Sequence, residues 1–215
     1  IAASAVIANA DAAALGGGLF GSAAARGVAA VPAEARSLSA VTWAAVARTS
    51  GFPLTRHNVF FSGDYEREFR ELARGVASDP TVYVCAQDRD GACDGPERLL
   101  MLVNAPAHGD VSTVDIKTAE QAMRRRIDAC GLAAEWQPQD CVMTNPAGFA
   151  RLFPATGGAL YGRASHGWMA SFRRPGAATA LPGLYLAGGS VHPGPGVPMA
   201  ALSGRLAVEH LLGDR

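Results

Sequence analysis

GLYLAGGSVHPGPGVPMAAL, from Gly183 to Leu202, holds a strand, a turn and the start of a helix in 20 residues. Leu184 to Ala187 is short and apolar with glycine on both sides, the pattern of a buried strand. It ends at Gly188-Gly189, where absent side chains let a ligand approach the backbone. His192-Pro193-Gly194-Pro195-Gly196 is then a stiff turn. Pro198 falls in the first turn of a helix running from about Val197 to Leu212, where its missing N–H costs nothing. The amides of Gly196, Val197 and Met199 point outward with the positive end of the helix dipole, and such a helix start binds anions. Helical spacing puts Val197, Ala201, Gly204, Val208 and Leu211 on one stripe, and Ala201 and Gly204 are small enough for close packing on a sheet or cofactor. An ordinary glycine-rich strand-to-helix turn has the same spacing.

The opposite end of the chain offers a matching piece. Ala5 to Ala8 (AVIA) is a short apolar strand ending in the polar turn Asn9-Ala10-Asp11, as in a parallel sheet. The Gly/Ala-rich run that follows, to about Ala35, has no clear periodicity. Gly16, Gly18 and Gly21 have G-x-G-x-x-G spacing there. The surrounding run is low in complexity, and Glu34 follows Pro32 instead of ending a second strand, so the spacing is set aside.

Between the ends, Leu38–Val46, Asn58–Phe61, Thr81–Ala86 and Arg98–Val103 read as strands. Asp64 caps a helix whose Tyr65, Phe69 and Leu72 form one face and which Gly75 ends. Thr118 begins a second helix, with Gln121 at capping-box spacing, an apolar face of Met123, Ile127 and Cys130, and Gly131 as its stop. Its three arginines, Arg124, Arg125 and Arg126, read as a solvated face or as a contact for anionic lipid headgroups. Strands and helices do not alternate regularly in this middle. The expected fold is therefore α/β plus α+β, with a partial Rossmann-like layer formed by both chain ends and an inserted unit of mixed or antiparallel sheet.

Composition narrows the function. Nineteen basic residues, all arginine except Lys117, balance 19 acidic ones, so no charge excess points to nucleic acid. Mean hydropathy is +0.11, enough for a sizeable core. Cys85, Cys93, Cys130 and Cys141 form no C-x-x-C and no zinc-finger spacing with histidine. They read as reduced thiols of a cytoplasmic protein, with no metal site. No apolar run is long enough to span a bilayer. The first residues lack the basic start of a signal peptide, and Asn9 and Asp11 interrupt their apolar run. Opening on Ile1 and then a core strand, the chain is expected to be a piece whose N-terminal part is missing.

The Gly183–Leu202 segment resembles the C-terminal signature of the FAD-dependent carotenoid desaturases of the bacterial phytoene desaturase type, in which a strand ending in AG(A/G) leads to HPG-x-G-x-P and the last helix. Gly157–Gly162 (GGALYG), Phe172–Pro175 (FRRP) and Val6–Asp11 (VIANAD) extend the resemblance. Leu38–Phe61 and Asp79–Asp90 are most similar to one subgroup, the 1-hydroxycarotenoid 3,4-desaturases or methoxyneurosporene dehydrogenases of photosynthetic bacteria. The resemblance covers nearly all of this chain but about the C-terminal half of a family member. It implies FAD contacts at Gly188, Gly189, Gly194, Gly196, Val197, Pro198 and Met199, with His192 near the flavin–substrate junction as proton acceptor or orienting group. A histidine bonding a turn carbonyl is the plainer role. It also implies residues 1–35 and 145–215 as parts of an FAD-binding domain and 36–144 as a substrate-binding domain, the ADP-binding half being absent from this chain.

The implied reaction is removal of two hydrogens from a C40 carotenoid, at C3–C4 of a 1-hydroxy or 1-methoxy end. Trp43, Phe52, Phe60 and Phe61 would then line an apolar tunnel for the substrate, or simply be core. A carotenoid lives in the bilayer, so the resemblance implies a cytoplasmic enzyme peripherally associated with the inner photosynthetic membrane. Other flavoenzymes of the same fold remain as alternatives: a phytoene desaturase, a carotenoid isomerase, an amine or protoporphyrinogen oxidase. So does an inactive piece that needs a partner polypeptide for the ADP site. Ser190 and His192 stand as G-x-S-x-H. A hydrolase nucleophile elbow needs glycine where His192 stands, which sets that reading aside.

Overall fold

The computed structural model describes residues 2–89, 95–165 and 170–213, so Cys93 and His166 lie outside the described residues. In chain order its elements are β1 (Val6–Ala8), α1 (Ala12–Gly16), α2 (Ser22–Ala25), β2 (Ser39–Gly51), β3 (His57–Phe60), α3 (Tyr65–Leu72), β4 (Val82–Ala86), β5 (Glu97–Ala105), α4 (Ile116–Ala129), β6 (Leu132–Glu135), β7 (Cys141–Thr144), α5 (Pro146–Leu152), β8 (Leu184–Leu186) and α6 (Val197–Gly213). By contacts they form two compact units, Ile1–Leu38 with Phe149–Arg215, and Ser39–Gly148. The boundaries read from sequence were 35/36 and 144/145, three and four residues earlier in the chain than the contact boundaries 38/39 and 148/149.

In the Ser39–Gly148 unit every strand pairing is antiparallel, in the order β3-β4-β5-β2-β6, with β7 also on β2. The long strand β2 organises it. Ser39–Ala47 pairs with β5 along one edge, while the other edge takes β7 at Thr42–Ala45 and then β6 at Arg48–Gly51. Strand alternation sends Val41, Trp43, Ala45 and Ala47 to one face, and register stacks Val41 beside Val103 and Val82, and Trp43 beside Met101 and Val84. These side chains and Ala119, Met123 and Ile127 of α4 make one buried core. Each large aliphatic side chain so buried contributes about 1.5–3 kcal/mol. The strand read as Leu38–Val46 thus runs on to Gly51, because β6 supplies a partner that local periodicity does not reveal.

Two helix assignments need correction. In α3, Asp64 is the cap, accepting the Arg67 N–H at 2.9 Å, and Leu72 is buried. Tyr65 and Phe69, however, lie exposed against each other at 4.8 Å. The inward residue is Glu68, whose carboxylate accepts the Thr81 N–H at 3.0 Å and hydroxyl at 2.7 Å. A carboxylate with two donors is buried more favourably than an exposed-side aromatic pair would suggest. The helix also stops at Leu72, ahead of Gly75.

The cap of α4 is Asp115, which accepts the Lys117 N–H at 2.9 Å, while the Thr118 hydroxyl donates to it at 2.7 Å. The helix therefore begins at Ile116, one turn earlier than a capping box at Thr118 predicts. Its arginines are not a bare solvated face. Arg124 pairs with Glu120 at 2.9 Å and lies 3.7 Å over the Trp136 ring. Arg126 forks onto Asp79, and Arg125 donates to the Ser78 carbonyl at 3.4 Å.

Two surface carboxylates make this unit acid-sensitive. The Ser78 N–H, Arg67 and the Ser78 hydroxyl hold Glu71 down at about 2. The Arg98 guanidinium and its N–H hold Asp88 at about 2. Folded values below the unfolded ones, roughly 4.3 and 3.9, mean the stabilisation is present above that range and is lost as pH falls toward 2. Urea midpoints measured from pH 5 to pH 2 are expected to fall, and to fall less steeply in Glu71→Gln/Asp88→Asn. An identical slope in wild type and variant would contradict the assignment.

Candidate functional site

The other unit is built on a pair of parallel strands. Val6, Ile7 and Ala8 of β1 lie beside Leu184, Tyr185 and Leu186 of β8, and the Ala187 N–H donates to the Ala8 carbonyl at 3.0 Å. Both strands therefore end together. Beyond them the chain enters Asn9-Ala10-Asp11 on one side and Gly188-Gly189-Ser190 on the other. In α/β sheets ligands bind at the carboxyl ends of parallel strands. Here that position opens on a cavity of about 420 Å³. Leu19, Phe20, Leu152, Phe153 and Leu160 line its apolar wall, and Asn9, Asp11, Ser190 and the two glycines form its polar end.

Hydrogen bonds hold the polar end in place. The Ala13 N–H donates to Asp11 Oδ1 at 2.8 Å, which caps α1, and the Ala12 N–H donates to Ser190 Oγ at 3.1 Å. Burial pushes the Asp11 carboxyl up, against the opposing pull of the Ala13 N–H, Ser190 and the Arg174 charge. Arg174 is 6% exposed and donates to the Tyr161 carbonyl at 2.8 Å, the Gly189 carbonyl at 3.4 Å and Ser165 Oγ at 3.0 Å. Burial pushes its guanidinium down and Asp11 partly restores it. Arg174 thus fixes the carbonyl of the residue just before Ser190.

A second anchor ties α6 to the end of β8. The Gly188 N–H donates to Ser203 Oγ at 2.8 Å, and the Ser203 hydroxyl donates to the Ala200 carbonyl at 2.6 Å. Ser203 and Ala207 are the buried residues of α6. This corrects the stripe read from spacing: Val197 and Val208 are 85% and 44% exposed, on the side away from Ser203. A buried serine set the facing of the helix, and a hydrophobicity pattern does not register serine as core.

The residues proposed from sequence divide between the cavity and the helix start. Gly188 and Gly189 line the cavity. Gly194 is buried against the Arg174 side chain, and Gly196 is exposed beside open space. Gly188, Gly194 and Gly196 have φ of 123°, 134° and 104°, values that favour glycine. The Ala200 N–H makes the bond to the Gly196 carbonyl, so the amides of Val197 and Met199 stand ahead of it, with Pro198 between them. Val197, Pro198 and Met199 are exposed. His192 is half-buried in the turn, does not line the cavity, and donates its own N–H to the Pro175 carbonyl at 2.8 Å.

The four aromatics belong to the Ser39–Gly148 unit and do not form one lining. Trp43 and Phe60 are core, 0% and 4% exposed; Phe52 stands edge-on to Phe60 at 5.1 Å; Phe61, past the last β3 pair, is 67% exposed. Strand alternation explains the split. The open apolar surface of this sheet is its opposite face, where register brings Ala44, Leu100 and Val142 into one row and Val59 and Leu102 into the next. Asn9, Asp11, Ser190, Arg174 and Phe153 were not proposed from sequence as site residues. Asn9 and Asp11 were legible as a strand-end turn and Arg174 within the Phe172–Pro175 segment, but no local pattern marks Arg174 as the residue that fixes the Gly189 carbonyl.

Gly16 ends α1, Gly21 caps the four-residue α2 and Gly18 lies between the two helices, so the three glycines do not stand between a strand and a helix. Ser190 is held by the Ala12 N–H, unlike the exposed nucleophile of an elbow. Among the described residues there is no cluster of three or more metal-ligating side chains, and no helix long and apolar enough to cross a membrane.

No family model matches the chain. Curated relatives do. A hydroxyneurosporene desaturase of Rubrivivax gelatinosus is 56% identical over 220 residues, covering 99% of this chain and 42% of the relative. One from Cereibacter sphaeroides is 46% identical, covering 97% and 43%. A 1-hydroxycarotenoid 3,4-desaturase of a Flavobacterium is 30% identical, covering 74% and 34%. The chain therefore spans less than half the length of these relatives.

Proposed function

This chain belongs to the carotenoid desaturases, corresponding to the C-terminal part of a hydroxyneurosporene desaturase, and from that premise we propose that it carries the flavin-facing end of an FAD-dependent enzyme that desaturates a 1-hydroxylated C40 carotenoid at C3–C4. The observation that carries this reading is the exposed start of α6, reached through three positive-φ glycines from the carboxyl ends of a parallel strand pair.

The residues present fit the cofactor. A side chain at Gly196 would project into the open space beside the α6 start, and one at Gly188 would meet Asn9, so glycine keeps that approach clear. Gly188, Gly189, Gly194 and Gly196 would let a planar group lie against the backbone. The amides of Val197 and Met199, at the positive end of a 17-residue helix, would favour negative charge on it. Held there, FAD would supply two-electron oxidation of the CH2–CH2 unit. The second hydrogen leaves as a proton, and His192, the titratable side chain of the turn, would accept it. We assign the ADP end of the cofactor to residues outside this chain. The enzyme would meet the bilayer peripherally to collect its carotenoid.

Anaerobic mixing of the FAD-loaded full-length protein with a 1-hydroxylated polyene is expected to bleach the flavin band. In His192→Ala, extension of the chromophore should slow about 100-fold at unchanged flavin content. Loss of flavin in that variant would assign His192 to holding the turn. A flavin band that persists in the wild-type protein would contradict the reading.

A further inference from the structure

Arg174 is a buried cation outside the cavity lining. It is 6% exposed, yet every acceptor of its hydrogen bonds is neutral: the Tyr161 carbonyl at 2.8 Å, the Gly189 carbonyl at 3.4 Å and Ser165 Oγ at 3.0 Å. Asp11 acts on it through charge, without a direct bond. We infer that Arg174 is a positioning residue for the oxidant: set behind the glycine turn, it supplies fixed positive charge that favours the cofactor in its reduced, negatively charged form. This rests on the flavin-facing reading above and names the side chain that tunes it.

Burying a guanidinium is costly without a partner of opposite charge, and arginine stays protonated in proteins. Gly189 and Gly194, both assigned above to the cofactor cradle, leave only backbone between that charge and the turn. A side chain at Gly194 would meet Arg174 Nε at 3.6 Å, and one at Gly162 would meet Nη1 at 3.6 Å, so the guanidinium lies close behind both backbones. Pro175, next in the chain, also holds the turn: its carbonyl accepts the His192 N–H at 2.8 Å. The start of α6 is a second positive pole, tied to the same strand end by the Gly188 N–H bond to Ser203 Oγ. The electron count sets the sign. Desaturation of CH2–CH2 to CH=CH releases one hydride and one proton. The hydride brings two electrons and one hydrogen nucleus to a neutral flavin ring, which therefore gains one negative charge, while the proton leaves for a separate acceptor. Fixed charge aimed at a developing anion costs no reorganisation when the electrons arrive, and a buried charge is little screened by salt.

A unit charge acting through one layer of backbone, at the effective dielectric of a protein, corresponds to roughly 10- to 30-fold in the ratio of reduced to oxidised flavin. For a two-electron couple, tenfold is about 30 mV. The test measures the midpoint potential of FAD bound to full-length protein, by equilibration with reference dyes, beside the thermal midpoint of the same samples. Arg174→Gln keeps donors for the carbonyls and loses the charge. Its ratio is expected to fall about tenfold, a potential about 30 mV lower. Arg174→Lys keeps the charge and loses the planar fork, and its ratio should stay within about threefold of wild type. Both should melt at lower temperature, since both give up hydrogen bonds. A residue that only clamps the turn would move the potential equally in both variants, or in neither, and either result would overturn the inference. So would a wild-type potential no higher than that of free FAD, a test that stands even where neither variant folds. Full-length protein that takes up no flavin would instead remove the flavin-facing reading, and the inference with it.

Discussion

Full-length protein carrying Gly188→Val is expected to emerge from purification with its flavin content reduced at least tenfold and its fold destabilised by about 2–4 kcal/mol. Two independent penalties combine. Gly188 has φ of 123°, where a β-branched residue is strained. A Cβ built there lies 2.8 Å from Asn9 Oδ1, closer than real contacts allow. Relief requires Asn9 to leave the polar end of the cavity or Gly188 to withdraw from the Ser203 hydroxyl, which would free α6 from the strand end it is tied to. Either movement displaces the start of α6, where the proposed function puts the flavin. Gly204→Ala, in the interior of α6 with nothing within 4 Å of the added methyl, is the matched control. It should retain flavin and gain roughly 0.5–1 kcal/mol from helix propensity. Flavin absorbance per protein and thermal midpoint are the readouts. Gly188→Val with wild-type flavin content would contradict the placement of the cofactor.

Gly51→Ala should destabilise the antiparallel unit by about 3–5 kcal/mol. Gly51 ends β2 with φ of 85°, and an added Cβ would stand 2.2 Å from the Gly131 carbonyl oxygen. That obstacle is backbone, so no rotamer change relieves it. The same carbonyl accepts the Phe52 N–H at 2.9 Å, and Gly51 is paired with Leu132 of β6. Moving it therefore strips β6 from β2 and opens the core at Leu132, which is fully buried. Gly75→Ala, with open space around the added methyl, should leave the urea midpoint within about 0.5 kcal/mol of wild type. Equal midpoints for Gly51→Ala and Gly75→Ala would show that the close approach of β2 to Gly131 is absent in solution.

What could be read from sequence was whatever a short window contains. The strand ends at Asn9-Ala10-Asp11 and Gly188-Gly189 were visible because apolar runs stop at polar or glycine residues, and those turns do border the cavity. The strands of the middle unit showed through alternation, though β3 shifted by one residue and β2 outran its pattern. The cavity's own chemistry was hidden. Ser190 meets the Ala12 N–H across 178 residues, and Arg174 reaches Gly189 across a chain reversal between Ala178 and Tyr185. No local pattern encodes such a meeting. Serine and glutamate in buried roles misled the periodicity argument twice, at Ser203 of α6 and Glu68 of α3, because each hides its polarity in hydrogen bonds that the sequence does not display. The aromatics failed for a simpler reason. Trp43, Phe60 and Phe61 are large and apolar alike, and only pairing register decides which face each takes.

The central claim, desaturation of a hydroxylated carotenoid, is tested most directly by the pigment profile of cells making the full-length protein. One strain accumulates 1-hydroxyneurosporene and a second accumulates phytoene, and extracts are compared by liquid chromatography with absorbance detection. A new pigment with a longer chromophore in the first strain alone is the expected result. Conversion of phytoene in the second strain, with the hydroxylated substrate untouched, would contradict the 3,4-desaturase assignment, and no new pigment in either strain from a protein that holds FAD would contradict desaturation itself.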